Sequence, residues 1–398
     1  MTTSRRHLLQ SALAASLAPW ASLSVAATAS TPGANRFVLF ILRGGMDGLT
    51  AVPAIGDPAF AESRGVLGQF PESPLPLDST FALNPLLPQL HAMYGRGEMA
   101  VLHAVGLLYR ERSHFDAQQV LESGGTRPYE LSTGWLGRAL AGPRANPMKA
   151  VALQTAVPLV LRGPTDVDTW APSALPEPGM DLVSRLEALY RNDPALAQAL
   201  ARARGLREEP GMAAAPAMQP GGGGRAAAVQ LATKAADFLQ RGSQVAVLEM
   251  GGWDSHTNQT LPNGATSNNL RALDASLEAL RTGLQAGGLW QRTVVLVATE
   301  FGREVAVNGN QGTDHGSGGA AFLLGGAVHG GRVVTNWPGL AKKDRHEGRD
   351  LRVTTDLRAA LRPVLADHLQ VPRALIDSSV LPGSAHLAPL DLLRGNAA

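Results

Sequence analysis

Residues 293–319, TVVLVATEFGREVAVNGNQGTDHGSGG, place Glu300, Asn308, Asp314 and His315 in and beside a glycine-studded loop. Asp and His bind transition metals through oxygen and imidazole nitrogen, and glycines let backbone bend tightly and approach a ligand. Asp and Gly are also ordinary turn formers. Taken alone, Asp314 and His315 therefore read as turn chemistry, and other parts of the chain must supply the case for a metal.

They do so at three further places. Asp254 and His256 stand one residue apart in GGWDSHTN, and in extended backbone such i, i+2 side chains point the same way, as a pair of metal ligands must. Asp47 follows an apolar run in RGGMDG, where it is either a ligand or the cap of a following turn or helix. Ser113 precedes the apolar spacing of Phe115, Val120 and Leu121, so it is predicted to cap a helix; an anion beside it would be held by the same amides and the helix dipole. His114 is adjacent and is an alternative contact. A paired-metal cleft accounts for these groups together, because two divalent ions about 3.5–4 Å apart activate an oxygen nucleophile and stabilise a leaving oxygen at phosphorus or sulfur.

What would position such groups is a parallel sheet, whose ligands lie beyond the carboxyl ends of its strands. The runs 36–42, 99–105, 245–250 and 293–299 are apolar throughout and too short for useful helices, as strands buried on both faces are. Each is followed by one of the groups above. His103, inside the second run, is expected to be a hydrogen-bonded core residue. Strand character is also read at 150–161 and 320–324, a short strand or loop at 332–338, and helices at 132–140, 182–206, 226–240, 270–284 and 355–369. The fold class is thus α/β, a mainly parallel central sheet with helices on both faces. Residues 162–225, with the low-complexity run AAAPAMQPGGGG, read as a flexible insertion or cap.

The chain has no cysteine, which excludes disulfides, thiolate nucleophiles and iron–sulfur clusters, so a metal must be held by His and carboxylates. Ser4-Arg5-Arg6-His7-Leu8-Leu9 and the uncharged Ala/Leu-rich run to Ala29 form a twin-arginine leader with small residues suited to cleavage. The expected domains are the signal peptide 1–29 and one α/β domain 30–398, delivered by the twin-arginine translocase to the periplasm or beyond, with no permanent membrane span. The 35 Lys and Arg residues include Arg5 and Arg6, so without the leader the chain balances its 33 acidic residues and is formally neutral. No nucleic-acid partner is expected. G-x-S-x-G and Walker signatures are missing, which sets aside α/β-hydrolase and P-loop chemistry.

The leader followed by VLFILRGGMDGL, RSHFDAQQVLESG, GGWDSHTNQ, TEFGR and GTDHG, in this order, resembles the exported bacterial domain-of-unknown-function 1501 family, similar to the alkaline phosphatase/sulfatase superfamily. The resemblance spans essentially the whole mature chain. It implies a sheet sandwiched by helices, a first-strand Asp at Asp47, a nucleophilic hydroxyl at Ser113, and ligands at Asp254, His256, Glu300 and His315. The expectation is a metal-dependent hydrolase of phosphate or sulfate esters, in which Asp47, Ser113 and Glu300 hold one ion and Asp254, His256 and His315, beside Asp314, hold another. Ser113 or His114 would meet the substrate, and Arg43 or Arg303 would steady its anion. Zn, Mn, Ca and Mg are the candidate ions. Where many superfamily members carry Asp-His, this chain has Glu300-Phe301, which motivates a rival: a non-catalytic binding or assembly protein on the same scaffold.

Overall fold

The computed structural model describes residues 34–143, 148–172, 179–208, 224–259 and 261–395; the predicted leader and most of the low-complexity run lie outside them. Among the described residues eleven strands form: β1 (Arg36–Leu42), β2 (Leu75–Pro76), β3 (Ala82–Leu83), β4 (Met99–Gly106), β5 (Ala150–Ala152), β6 (Asp168–Thr169), β7 (Val245–Met250), β8 (Thr293–Thr299), β9 (Gly319–Leu324), β10 (Arg332–Val334) and β11 (Thr355–Asp356). Nine of them make the central sheet, in the order β10-β4-β9-β8-β1-β7-β5-β6 with β11 also paired to β4. β1 runs parallel to both neighbours, in register Leu42↔Met250 and Leu42↔Thr299, so the chain leaves β1, β7 and β8 at one edge.

β9 is the exception in the mainly parallel sheet, since it pairs antiparallel with β4 and β8. Its sequence GAAFLL is buried at every position, as a central parallel strand is. An unbroken apolar run reports burial on both faces and says nothing of direction. The reversal has a consequence for the loop after β8: that loop need not cross the sheet, and it enters β9 at the edge where it left β8.

Alternate residues of β1 feed two cores. Val38, Phe40 and Leu42 pack with residues of α7 (Arg225–Gln240) and α8 (Ala265–Ala286), among them Leu239, Leu273 and Leu277. Phe37, Leu39 and Ile41 pack with α3 (His114–Ser123), α4 (Trp135–Leu140) and α9 (Leu357–Pro363), where Trp135 meets the Phe37 ring edge-on at 6.1 Å. Helices therefore cover both faces. Each fully buried Leu, Ile or Phe contributes about 1.5–3 kcal/mol relative to exposure, which makes these central strands the fixed frame of the molecule.

Three element boundaries differ from the sequence reading. Residues 182–206 form two helices, α5 (Met180–Tyr190) and α6 (Pro194–Glu208), because Asp193 caps the amides of Ala195 and Leu196 and Pro194 takes the first helical position. No residue of α5 is buried. The run 150–161 yields only the three residues of β5 before a 3-10 turn at Leu159–Leu161. Residues 355–369 begin as a strand, continue as α9 from Leu357, and end in a π-helical turn, Val364–His368.

His103 is fully buried as expected: its Nδ1 accepts from Ala104 N (2.8 Å) and its Nε2 donates to Val52 O (3.0 Å). Burial, opposed by the Val52 carbonyl, pushes its pKa down to about 4 from 6.5. Asp274 of α8 instead accepts from Gln89 N and Leu90 N, both at 3.0 Å, filling open amides at the start of helix α2 (Pro88–Gly95), and burial lifts its pKa to about 6. Between about pH 4 and 6.5 the unfolded chain protonates at His103 before the native one does, so this term raises stability with pH, by roughly 3 kcal/mol at most. Asp274 acts in the opposite sense: the native state holds its proton longer, and stability falls as pH rises from 3.8 to about 6. Urea unfolding across pH 4–7 should show His103→Gln losing the rising component and Asp274→Asn losing the falling one, and a slope unchanged in either variant would contradict the corresponding assignment.

Candidate metal centre

The edge at which β1, β4, β7 and β8 end is also where β9 begins, and the polar motifs of the sequence collect there. α3 starts at His114, eight residues past β4. Asp254 and His256 follow β7, Glu300 follows β8, and His315 precedes β9, paired with Arg303 through an antiparallel bridge. Glycine permits the crowding. A Cβ on Gly44, at φ +121°, would lie 2.4 Å from Asp254 N, and one on Gly302 would lie 1.8 Å from Gly318 O.

Three imidazoles and one carboxylate converge. Nε2 of His315 lies 3.1 Å from Nε2 of His114, 3.1 Å from Nε2 of His256 and 3.2 Å from Asp254 Oδ1. Asp254 Oδ1 is 2.9 Å from His256 Nε2, and its Oδ2 is 3.4 Å from His114 Nε2. The donor atoms of His114, Asp254 and His315 all fall within 4.8 Å of one another.

The opposite nitrogen of each ring is held. His114 Nδ1 donates to Glu300 Oε1, His256 Nδ1 to Asp314 Oδ1 and His315 Nδ1 to the carbonyl of Arg112, each at 2.9 Å. These acceptors place the proton of a neutral ring on Nδ1 and leave the Nε2 lone pair facing inward. Phe301 packs both His114 (4.7 Å, 37°) and His315 (5.0 Å, 36°), which restricts the rings further. Glu300 is saturated: Oε1 also accepts from Gly44 N (2.8 Å) and Gln118 Nε2 (2.9 Å), and Oε2 from Thr299 Oγ1 (2.9 Å).

The donor set fits a divalent cation. Neutral rings at His114 and His315 would present two lone pairs beside the Asp254 carboxylate, and a neutral His256 would add a third beside Asp254 and His315. In a tetrahedral site with metal–ligand distances of about 2.0–2.1 Å, ligand atoms stand about 3.3 Å apart. Among His114, Asp254 and His315 the separations of 3.1–3.4 Å are close to that spacing, and His256 Nε2 adjoins His315 Nε2 at 3.1 Å and Asp254 Oδ1 at 2.9 Å. Burial raises the Asp254 carboxyl, but the hydrogen bond and charge of Arg303 outweigh it and hold the group below the ordinary range. The Glu300 hydrogen bond, working against burial, lifts His114, while burial lowers His315. The side chains of Asp254 and His256 are 43% and 41% exposed whereas that of Glu300 is 0%, so the centre is open on the Asp254–His256 side.

Several residues stand elsewhere than expected. Asp47 caps α1 (Gly48–Ala51): its carboxylate accepts from Leu49 N (3.0 Å), Thr50 N (3.2 Å), Thr50 Oγ1 (2.8 Å), Gln259 Nε2 (2.5 Å) and the Arg64 guanidinium, which leaves no side for an ion. Glu300 and Asp314 sit behind the rings, one layer from the convergence point. The structure therefore brings His114, Asp254, His256 and His315 together and sets Asp47 apart from them, in the buried pair with Arg64. Ser113 is the residue before α3, but its hydroxyl makes no capping hydrogen bond. Arg43 is held by Glu249 (2.6 Å) and Glu122 (2.9 Å), and Arg303 donates through Nη1 to Asp254 Oδ1 (2.7 Å), so both are committed to carboxylates. The sequence reading missed Gln118, Thr299 and Gln259. Gln118 was accessible to it, since it lies four residues from His114 on one helix face.

A family model described as "Protein of unknown function (DUF1501)" matches residues 100–380. Solved structures similar to the chain include Ps i-CgsB in complex with k-i-k-neocarrahexaose, at 10% identity and TM-score 0.45, covering 90% of this chain and 75% of that one. A 2-O GAG sulfatase is similar at 11% identity and TM-score 0.42, covering 90% and 73%. An alkaline phosphatase superfamily protein from Vibrio parahaemolyticus is similar at 11% identity and TM-score 0.35, covering 74% of this chain and 60% of that one. No curated protein matches the sequence.

Because the two loops touch backbone to backbone at Gly302, Gly302→Ala should destabilise the protein by about 3 kcal/mol or more, read as a fall in the urea midpoint. A variant as stable as the parent would show that the loops around His315 are not packed as described.

Proposed function

This chain belongs to the domain-of-unknown-function 1501 family, and from the geometry of its centre we propose that it is an exported hydrolase of phosphate or sulfate esters that uses one divalent cation held by His114, Asp254, His256 and His315. The observation carrying this reading is the convergence of three Nε2 atoms on Asp254, each ring oriented from behind by Glu300, Asp314 or a carbonyl. A cation bound there would supply Lewis acidity toward an ester oxygen. Imidazole nitrogens favour zinc over manganese, calcium and magnesium, which take mainly oxygen donors.

The chain's own residues have separate tasks. Glu300 and Asp314 keep the Nδ1 protons of His114 and His256 in place. Phe301 keeps the His114 and His315 rings from turning. The exposed Asp254–His256 side admits the ester. Ser113, adjoining His114 with its hydroxyl free of capping, is the candidate nucleophile. Arg43 is paired with Glu249 and Glu122, and Arg303 with Asp254 through Nη1, so neither is assigned the substrate anion in this reading. Export rests on the Arg5-Arg6 leader and its removal from one α/β domain; among the described residues no helix is long and apolar enough to cross a membrane.

A second reading has its own support: were all four residues to bind one cation, they would leave it no open position, as in closed structural sites. In that case the protein binds or assembles without turnover. Metal analysis after reconstitution with zinc or manganese should find about one ion per chain, and His315→Ala should lose it. With p-nitrophenyl phosphate and sulfate as substrates, the loaded protein should turn over at least one, and Ser113→Ala should reduce the rate about a hundredfold or more. Failure to retain any ion would contradict the centre. A bound ion without turnover of either ester would favour the second reading, and full turnover by Ser113→Ala would remove Ser113 as nucleophile.

A further inference from the structure

The backbone of Asp254 is held between buried Trp253 and Ser255, but its side chain is 43% exposed, the most exposed of the centre, so the carboxylate itself needs a separate hold. Behind it stands Arg303, whose side chain is 0% exposed, with Nη1 2.7 Å from Asp254 Oδ1. Arg303 Nε in turn donates to Thr313 Oγ1 (3.2 Å), Thr313 Oγ1 to Gln259 Oε1 (2.7 Å), and Gln259 Nε2 to Asp47 Oδ2 (2.5 Å), which also receives the buried Arg64. Ser255 Oγ joins at Gln259 Oε1 (3.1 Å). Asp47, Arg64, Gln259, Arg303 and Thr313 are all at most 3% exposed.

Two features mark this chain as more than core filling. Burying an arginine is expensive unless every donor is satisfied, yet Arg303 Nη2 is buried with no partner. A guanidinium kept there at that cost, with its other arm on a donor of the centre, has a geometric task. The links also come from the segments after β1, β7 and β8, so the chain ties the Asp254 loop to the frame of the sheet.

We propose that this buried relay, from the Asp47–Arg64 ion pair through Gln259 and Thr313 to Arg303, fixes the Asp254 carboxylate for cation binding, which makes Thr313 and Arg303 positioning residues. The proposal rests on the reading of the centre as a cation site. Without the Thr313 hydroxyl the Arg303 guanidinium can rotate about its last bonds and Asp254 follows it. Serine restores the link. Losses of this kind behind a metal ligand weaken binding about ten- to a hundredfold.

The test is competition of the full-length mature protein with a chromophoric chelator for zinc(II), and separately for manganese(II), with the melting temperature of each metal-free variant recorded. Thr313→Val should weaken binding about ten- to a hundredfold and Thr313→Ser should bind as the parent does. Arg303→Lys, which keeps charge and most of the volume but cannot reach Asp254 and Thr313 together, should also bind weakly and serves if Thr313→Val does not fold. A lower melting temperature with an unchanged dissociation constant in these variants would overturn the proposal and leave the relay a folding element. A parent that binds neither ion would overturn the cation centre itself, an outcome distinct from the first.

Discussion

His315 Nε2 stands 3.1–3.2 Å from the Nε2 atoms of His114 and His256 and from Asp254 Oδ1, a crowding of lone pairs that a positive charge among them would relieve. That crowding is the constraint to which the surrounding structure answers. Glu300, Asp314 and the Arg112 carbonyl hold the outer nitrogens, Phe301 blocks rotation of two rings, and Arg303 holds the carboxylate from its buried side. Each removes a motion by which the donors could relax apart. The arrangement is therefore preorganised, and most of the ordering is done during folding, before any ligand arrives.

The sheet makes this ordering possible. β1, buried on both faces and paired in parallel with β7 and β8, fixes where the Asp254 and Glu300 loops begin. The one reversed strand, β9, closes the loop after β8 without a crossover, so Glu300 and His315, fifteen residues apart, meet through His114. A parallel β9 would have required a crossover of a dozen or more residues to the far edge. The helix α3 then presents His114 from its first turn, directly beneath Phe301.

Much of this was legible in the chain. The central strands read correctly because apolar runs of six to eight residues are too short for useful helices, and the groups that follow them were read at the edge where the strands end. The i, i+2 spacing of Asp254 and His256 identified two of the converging groups. Direction of β9 was not legible, since burial alone sets its composition. Nor was the split of carboxylates into those at the point and those behind the rings: Asp47, Glu300 and Asp314 look alike in sequence, and only Arg64, 17 residues from Asp47, and Gln259, 212 residues from it, reveal that Asp47 is an anchor. Glu300-Phe301 looked like a defect in a ligand pattern, and the packing of Phe301 on two imidazoles gives it a structural place instead.

The central claim concerns what surrounds a bound ion, and X-ray absorption spectroscopy of the zinc- or manganese-loaded protein reads that directly. The account predicts nitrogen and oxygen scatterers at about 2.0–2.2 Å with outer-shell features of three imidazoles, one of which disappears in His256→Ala. A spectrum of oxygen ligands with one imidazole or none would contradict it.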